Sequence, residues 1–569
     1  MTTPESILRG QPSAEAAHHD VFARAKAEMW TLRPLRSTRL KEAAELLRQK
    51  QYKAAEAILA NVPQKNAEDP AAIHLMAQTA YGLGRKEEAE TLYARCLGLA
   101  PEFIAARYEY ANALFQLNRP LLALAELDEV LKRSPENPLC VDLMGIVLSA
   151  MGRHAESLNC FRKLADRYTQ SPDIWIKYGQ SQKSLGERDL AVQAFRRALE
   201  LRPAFGEAFW SLADLKSFRF ATEEIQAMQS FLTNPDVTGE DRMYIHFALG
   251  KAFGDAKNYA KSFENYARAN ALKRLAIEYD PSWLTRNVAK SKALYTPEFF
   301  REREGSGCDT PGPIFIIGMQ RAGSTLLEQI LASHSAIEGT AELPDLSLLA
   351  EHIGETIAPK LRCEYPDVVA SLNAGTLREF GERYLDTTRF RRTPGCPFFT
   401  DKMPYNFLHA GLIHLILPNA KIVDMRRHPL ACGFSNFSAH FKFGALFAYR
   451  LAEFGRAYAD YVELMAHFDS VLPGRVHRVF YEDIVRQPET EIRRLLDHIG
   501  LPFEDACLRF HENRRSMDSV SSEQVRRPIF SESVDQWRNY EPWLGQLKSA
   551  LGAVLDAYPA APVSGALAG

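Results

Sequence analysis

The chain has 569 residues, of which 46% are hydrophobic and 25% are charged, as in ordinary folded globular proteins. Its formal net charge is −2, which argues against a protein that works mainly on nucleic acid or on an anionic membrane surface. A chain of this length exceeds what one hydrophobic core can organise, so we expect several domains.

Targeting and redox features favour a reducing compartment. The first twenty residues lack a basic stretch followed by an apolar one, and no apolar run approaches the ~20 residues of a membrane span. The eight cysteines are scattered without a C-x-x-C pair, which indicates buried free thiols and not disulfides or a zinc site. We therefore predict a cytoplasmic protein with no membrane span, no nucleic-acid partner and no metal site.

The first half repeats with a period of 34 residues, and three columns of residue types keep this period over four units. They are Gly84, Asn118, Gly152 and Gly186; Ala89, Ala123, Ser157 and Ala191; and Tyr93, Leu127, Phe161 and Phe195. Prolines at positions 101, 135 and 203 follow the same period, which extends back to Lys50, and a weaker copy at Lys257 is shifted three residues out of phase.

Each column has a physical role in a helical hairpin. The glycine-type residue ends the first helix in the left-handed conformation, the small residue allows close helix approach, and the proline ends the second helix. We expect the aromatic or leucine residue to fill the gap between hairpins. The pattern resembles the tetratricopeptide repeat and predicts an α-helical solenoid over residues 37–275, whose groove would bind a protein or peptide. A helical bundle with chance periodicity is disfavoured, because four units keep phase.

The remaining boundaries follow from composition. Residues 1–36 are predicted to be a helical or flexible segment, and 276–310 a linker with a helix near 283–294 that ends in a Gly/Ser/Asp/Pro stretch. A second domain covers 311–545, followed by a helix end and flexible tail at 546–569.

The second domain opens with a predicted phosphate-binding loop. Residues 313–318 are a short apolar run typical of a buried parallel strand, followed by a glycine-bearing turn and an amphipathic helix. Ser324 occupies the position where ATP-hydrolysing loops of the form G-x-x-x-x-G-K-[ST] carry lysine, which disfavours an ATPase or kinase. Arg321 supplies a charge instead, and Asp424 is the single candidate for a magnesium-binding strand end. We predict an α/β, P-loop-like three-layer domain with a parallel sheet.

A second anion site is predicted after another strand, residues 421–425. Arg427 follows this strand, and Ser435 comes eight residues later. An arginine at a strand end and a serine on the next helix can hold one phosphate from two sides. With the loop, this spacing indicates a ligand with two separated phosphate groups.

This pair of motifs is similar to those of the sulfotransferase superfamily, and Gln320 to Leu326 looks most like the loop of the tyrosylprotein sulfotransferases. The resemblance implies 3′-phosphoadenosine 5′-phosphosulfate as sulfuryl donor, adenosine 3′,5′-bisphosphate as product, and no required metal. It assigns donor binding to Arg321, Ala322, Gly323, Ser324 and Thr325 at the 5′-phosphosulfate, Arg427 and Ser435 at the 3′-phosphate, and Tyr481, Ser522 and Arg527 elsewhere on the nucleotide.

The same resemblance implies the catalytic residues. Glu342, 21 residues after Arg321, corresponds to the branch's catalytic carboxylate, and Lys402 to the family's catalytic lysine; Ser521 is a possible helper. Two positions depart from the branch, because Ala439 and Gln536 stand where it has basic residues.

The acceptor stays open at this point. The branch and the repeats favour a peptide tyrosine, whereas a glycan or small-molecule hydroxyl is the main alternative. Two further alternatives are a P-loop kinase and a non-catalytic repeat scaffold. Nucleotide-binding measurements would distinguish both from a sulfotransferase.

Overall fold

The computed structural model of the chain describes residues 21–31, 35, 37–61, 68–392, 395–441, 444–513, 515, 524–529 and 532–560. Among these residues no helix is both long and apolar enough to cross a membrane. The chain divides into two compact units, one within residues 11–202 and one within residues 203–569.

The first unit is entirely helical in its described part. Its helices are α1 Val21–Thr31, α2 Thr38–Arg48, α3 Tyr52–Leu59, α4 Pro70–Gly82, α5 Lys86–Leu99, α6 Ile104–Gln116, α7 Pro120–Arg133, α8 Pro138–Ala150, α9 His154–Arg167, α10 Pro172–Leu185 and α11 Arg188–Leu201. From α2 onward they pack as five consecutive antiparallel hairpins, α2–α3 to α10–α11.

The predicted helix ends are confirmed. The residues that close the first helices have positive φ at Gly84, Asn118, Gly152 and Gly186, and also at the weaker copies Lys50 and Lys257. At Lys50 and Lys257, with φ of 56° and 58°, a β-carbon is tolerated where glycine is the usual residue. The 34-residue period therefore identified Lys50, and the column pattern identified Lys257 three residues out of phase with that period.

The aromatic column packs differently from the expectation. A β-carbon on Gly145 would lie 2.8 Å from the ring of Phe161, and one on Gly179 would lie 2.5 Å from that of Phe195. Each ring thus lies on the first helix of its own hairpin, because a glycine there leaves room for it. The small column behaves as predicted, since Ser157 is buried and donates to the Gly145 carbonyl at 2.8 Å.

The second unit contains helices and a sheet. Its main elements are α12 Gly206–Asp214, α13 Thr222–Phe231, α14 Gly239–Asp255, α15 Tyr259–Leu275, α16 Ser282–Leu294, α17 Pro297–Arg301, β1 Pro313–Gly318, α18 Ser324–Leu331, β2 Ile337–Glu338, α19 Asp345–His352, α20 Ala374–Thr388, β3 Phe398–Asp401, α21 Ala410–Ile416, β4 Lys421–Arg426, α22 Pro429–Phe437, α23 Leu451–Val471, β5 Val476–Phe480, α24 Tyr481–Arg486, α25 Pro488–Ile499, α26 Glu532–Asp535, α27 Gly545–Leu551 and α28 Ala553–Ala557.

The five strands form one parallel sheet in the order β2-β3-β1-β4-β5. All six residues of β1 are buried, as expected for a strand covered on both faces. In the register, Gly318 at the end of β1 lies opposite Met425 near the end of β4. The predicted parallel sheet is confirmed. The turns that follow its strands all lie at the carboxyl edge of the sheet.

Helices from the last repeat-like hairpin pack in this same unit. In α14–α15, Ser262 donates to the Gly250 carbonyl at 2.6 Å, as Ser157 does in its own hairpin. Helix α15 of this pair packs on α22, since Asn270 donates to the Phe437 carbonyl at 2.7 Å and Phe263 stacks on Phe437. Residues from 203 onward therefore belong to the same compact unit as the sheet. The sequence analysis had instead placed domain boundaries at 275 and 311.

The segment expected to be a linker is also packed against the sheet domain. Helix α16 contacts α23, where Thr285 donates to the Asp460 carboxylate at 2.8 Å. Tyr295 is fully buried, and a β-carbon on Gly411 would lie 2.7 Å from its ring. The eight cysteines are free, and six of them are buried.

Candidate functional site

The site residues predicted from sequence follow different strands of the sheet. Glu342 follows β2, Lys402 directly follows β3, the loop with Arg321 follows β1, Arg427 follows β4, and Tyr481 follows β5. Because parallel strands place their carboxyl ends at one edge, these residues are ordered along that edge as the strands are. Five distant stretches of sequence thus contribute to one row of side chains.

The loop between β1 and α18 forms a cradle for an anion. Gly323 precedes α18 with φ of 108°, and a β-carbon there would lie 2.6 Å from the Tyr481 ring. Only glycine therefore fits between the helix end and Tyr481. Helix α18 begins at Ser324, and the first backbone amides of a helix commonly bind phosphate or sulfate oxygens. Ala322 is buried beneath the loop.

Two arginines and a serine meet beside this loop. Arg321 donates through Nε to Ser435 Oγ at 3.2 Å, and Arg427 donates to the Arg321 carbonyl at 3.1 Å. The guanidinium of Arg427 also lies 4.7 Å from the centroid of the Tyr481 ring. Burial, followed by the charge of Arg427, lowers the pKa of Arg321. The Asp214 carboxylate acts in the opposite direction on that pKa. Two arginines side by side at a helix N-terminus are suited to hold a phosphate or sulfate group.

Helix α22 fixes the loop from the other side. Asn436 donates to the Gln320 carbonyl at 2.8 Å, and Cys432 donates to the same carbonyl at 3.2 Å. Asn436 is fully buried. The sequence analysis did not single out these two residues, although both lie on the helix that carries Ser435.

Glu342 and Lys402 form an ion pair at the other end of the row. Lys402 Nζ donates to Glu342 Oε1 at 2.5 Å. The Lys402 side chain is 2% exposed and that of Glu342 is 51% exposed, so the carboxylate is the more open of the two groups. Burial opposes the charge of Lys402, but Glu342 and Glu328 outweigh it and raise the pKa of Lys402. Lys402 is therefore a buried cation held in its protonated form.

A second ion pair, which the sequence did not predict, supports this one. Arg515 lies 3.1 Å from the Glu328 carboxylate and donates to Gln329 Oε1 at 2.8 Å. Glu328 also accepts from Thr400 Oγ1 at 3.3 Å, two residues before Lys402. The available signal was weak: two polar residues, Glu328 and Gln329, among the four apolar residues of α18.

Two other carboxylates are already used in structural pairs. Asp424 is buried and accepts from Arg426 and Arg478, each at 3.0 Å. Its oxygens balance these arginines, which removes the single acidic strand end considered for magnesium. Asp345, near Glu342, is buried and pairs with Arg391 at 2.7 Å. Glu342 is thus better placed than Asp345 to meet a ligand.

The structure does not place all of the predicted site residues in the row of side chains at the carboxyl edge of the sheet. Ser521 and Ser522 lie outside the described residues. Arg527 is exposed after the short 3₁₀ turn Gln524–Arg526, and its described surroundings do not link it to the loop. Ala439 is buried and Gln536 is exposed, so neither position replaces the basic group expected there. Within the described residues, no group of three or more His, Cys, Asp or Glu side chains could hold a metal ion.

Comparison with known protein families defines the class. Residues 313–505 match the model of the sulfotransferase family, and residues 74–138 and 172–205 match models of the tetratricopeptide repeat. The first half of the chain therefore matches tetratricopeptide-repeat models, and the stretch that matches the sulfotransferase family contains the whole row from Arg321 to Tyr481.

Individual relatives are more distant. An uncharacterized protein of Aquifex aeolicus is 29% identical over 435 residues, which cover 75% of this chain and 57% of the relative. Protein-tyrosine sulfotransferase 1 of Danio rerio is 25% identical over 239 residues, which cover 39% of this chain and 65% of the relative. The chain thus spans about 57% and 65% of the length of these two proteins. Among solved structures, the sulfotransferase domain from the Synechococcus PCC 7002 olefin synthase matches with 21% identity and a TM-score of 0.31, over 40% of this chain and 88% of that chain.

Proposed function

We propose that the protein is a sulfotransferase that moves a sulfuryl group from 3′-phosphoadenosine 5′-phosphosulfate to a hydroxyl acceptor. One observation carries the proposal: the candidate base, the buried lysine, the phosphate loop and the second arginine lie in this order along one sheet edge. A donor with two separated anionic groups needs such a row, because each anion requires its own cationic partner.

The donor's two anionic groups have separate partners in this proposal. The amides of Ser324 and Thr325 and the guanidinium of Arg321 would hold the 5′-phosphosulfate. Arg427 and Ser435 would hold the 3′-phosphate, and Tyr481 supports Arg427 from the side. Ser324 occupies the position at which ATP-hydrolysing loops carry lysine, which disfavours ATP as substrate.

The chemistry falls to Glu342 and Lys402. In sulfuryl transfer the acceptor oxygen bonds to sulfur while the bond from sulfur to the bridging oxygen breaks, and the electron pair of the broken bond stays on that oxygen. Glu342 would accept the hydroxyl proton of the acceptor, since its carboxylate is exposed. Lys402 would donate to the bridging oxygen as charge develops there.

The Glu328–Arg515 pair would position Lys402. When Glu342 turns toward an acceptor, Lys402 loses its nearest counter-charge, and Glu328 is the carboxylate that remains close enough to keep it protonated. Arg515 would in turn hold Glu328 in place through their ion pair.

The acceptor is proposed to be a tyrosine in a peptide or protein. Two findings support it: the similarity to proteins named protein-tyrosine sulfotransferases, and the repeats, which generally mediate protein interactions. Incubation with radiolabelled sulfate donor and a cell extract should place the label on protein tyrosine. Label on a glycan or small molecule would contradict the proposal of a peptide acceptor, but it would still support sulfotransferase activity.

Donor binding is tested by calorimetry with adenosine 3′,5′-bisphosphate. Arg427→Ala should weaken this nucleotide about ten- to hundredfold, since a charge-assisted hydrogen bond contributes about 1.5–3 kcal/mol. The matched control is Arg486→Ala, which removes an exposed arginine of α24 and should bind like the wild type. Equal affinity of Arg427→Ala and wild type would remove Arg427 from the site. Tighter binding of ATP with magnesium would favour a kinase.

A further inference from the structure

The N-terminal helix α1 folds back along the repeat array. It packs against α6 and α8, which are the first helices of two successive hairpins. Lys177 on α10, the first helix of the next hairpin, places its ammonium 4.7 Å from the ring centroid of Phe22. The first helices of α6–α7, α8–α9 and α10–α11 thus form a groove, and α1 lies in it.

One face of α1 is apolar and makes this contact. Ala25 and Met29 are buried in a cluster that includes Ile73 of α4, Ala106 of α6 and Leu139 of α8. Phe22 packs against this cluster and also against the neighbouring one that extends to α10. These three residues are at positions i, i+3 and i+7, which share one face of a helix, while Arg24 and Lys26 are exposed.

The floor of the groove carries acidic groups. Glu109 of α6 is paired with the buried His74 at 2.9 Å, and Asp142 of α8 is paired with Lys177 at 2.6 Å. Burial raises the pKa of Glu109, but His74, Gln78 and Lys26 together lower it below its usual value. The basic residue of α1 therefore complements the charge of the groove.

We propose that this groove binds an amphipathic helix of a partner protein, with apolar residues at i, i+3 and i+7 and a basic residue at i+4, and that α1 occupies the groove until such a helix displaces it. A short amphipathic helix in an apolar groove is a common mode of peptide recognition. An 11-residue helix is marginal in isolation, so α1 depends on the groove for its helical state.

The connection to α2 makes α1 a strong competitor. Only residues 32–37 separate the two helices, and a short tether of this kind gives an effective concentration on the order of millimolar. A free helix with the affinity of α1 should therefore bind the full chain weakly while α1 is in place. Removing the apolar contacts of α1 should open the groove.

The test uses the full chain and a labelled synthetic peptide with the sequence of residues 19–34, followed by fluorescence anisotropy. The double substitution Phe22→Asp with Met29→Asp should increase the affinity for this peptide about 10- to 100-fold over the wild type. The matched control, Leu121→Asp with Leu122→Asp, adds the same charge at two exposed leucines of α7 and should bind like the wild type. A peptide that itself carries the two aspartates should not bind.

Two outcomes would overturn the proposal: equal peptide affinity in wild type and the Phe22/Met29 variant, or no saturable binding to that variant when its helical circular dichroism is retained. If the variant loses its helical signal, hydrogen exchange measured on the wild type tests the proposal instead. Amides of α1 should exchange at least about tenfold faster than those of α6 and α8, because α1 opens on its own. Exchange at the same rate would make α1 a fixed part of the array. Peptide binding needs neither donor nor acceptor, so its failure would leave the proposed transferase activity untouched.

Discussion

The two compact units differ in how far apart in sequence their key contacts are. In the repeats, Phe161 packs on Gly145 and Phe195 packs on Gly179, so each pair joins neighbouring helices of one hairpin. In the sheet unit, Lys402 and Glu342 are 60 residues apart, and Arg321 and Ser435 are 114 apart. The array is therefore stabilised by local, repeated contacts, whereas the site depends on the packing of the whole unit.

The largest expected effect follows from this dependence. A chain that begins at residue 311 lacks α14, α15 and α16, of which α15 packs on α22 and α16 on α23 in the same unit. It should fail to bind adenosine 3′,5′-bisphosphate, because α22 holds the phosphate loop through Asn436. A chain that begins at residue 203 keeps these helices and is the control. Calorimetry on both should separate them; tight binding by the shorter chain would show that the helices are dispensable.

The chemistry at Glu342 gives the next largest effect. Glu342→Gln keeps the shape of the side chain and its hydrogen bond to Lys402 but removes the proton acceptor. The turnover number should fall about 10²–10⁴-fold with donor affinity nearly unchanged. Glu351→Gln, at an exposed glutamate of α19, is the control. Full turnover in a folded Glu342→Gln protein would contradict the assignment of Glu342 as base.

A substitution in the repeats tests whether the stability of the array and the donor site are independent. Phe161→Ala removes a buried ring from its glycine niche and should lower the free energy of unfolding of the array by about 3–5 kcal/mol. The affinity for adenosine 3′,5′-bisphosphate should stay within twofold (about 0.4 kcal/mol), since no donor-site residue lies in residues 11–202. Urea unfolding and calorimetry provide the two readouts, and a parallel loss of nucleotide affinity would argue against separate units.

The smallest effect concerns pH. Glu328 helps to raise the pKa of Lys402, so Glu328→Gln should lower that pKa. Lys402 must be protonated to donate to the bridging oxygen, and activity is lost as pH rises through its pKa. The alkaline limb of the turnover–pH profile should therefore move to lower pH, with little change near neutrality.

Glu382→Gln, at an exposed glutamate of α20, should leave this profile in place. If Glu328 has only a structural role, the Glu328→Gln substitution will lower the melting temperature and leave the alkaline limb where it is.

Much of the fold could be predicted from the sequence, because the relevant signals are local. A 34-residue period identified the hairpins and their left-handed caps, including the non-glycine cap at Lys50, and an out-of-phase copy of the pattern identified the cap at Lys257. An apolar run followed by a glycine turn and a helix identified β1, the loop and α18. Such signals depend on backbone geometry within a few residues, so one sequence is enough to show them.

The tertiary structure alone decided how the distant site residues contact each other. It paired Lys402 with Glu342 and placed Arg515 on Glu328, a contact for which neither residue type nor spacing gave a usable signal. It also packed α14–α16 with the sheet and laid α1 in the groove. These arrangements arise because separate elements bury their apolar faces against each other, and which faces meet depends on shape complementarity over the whole unit.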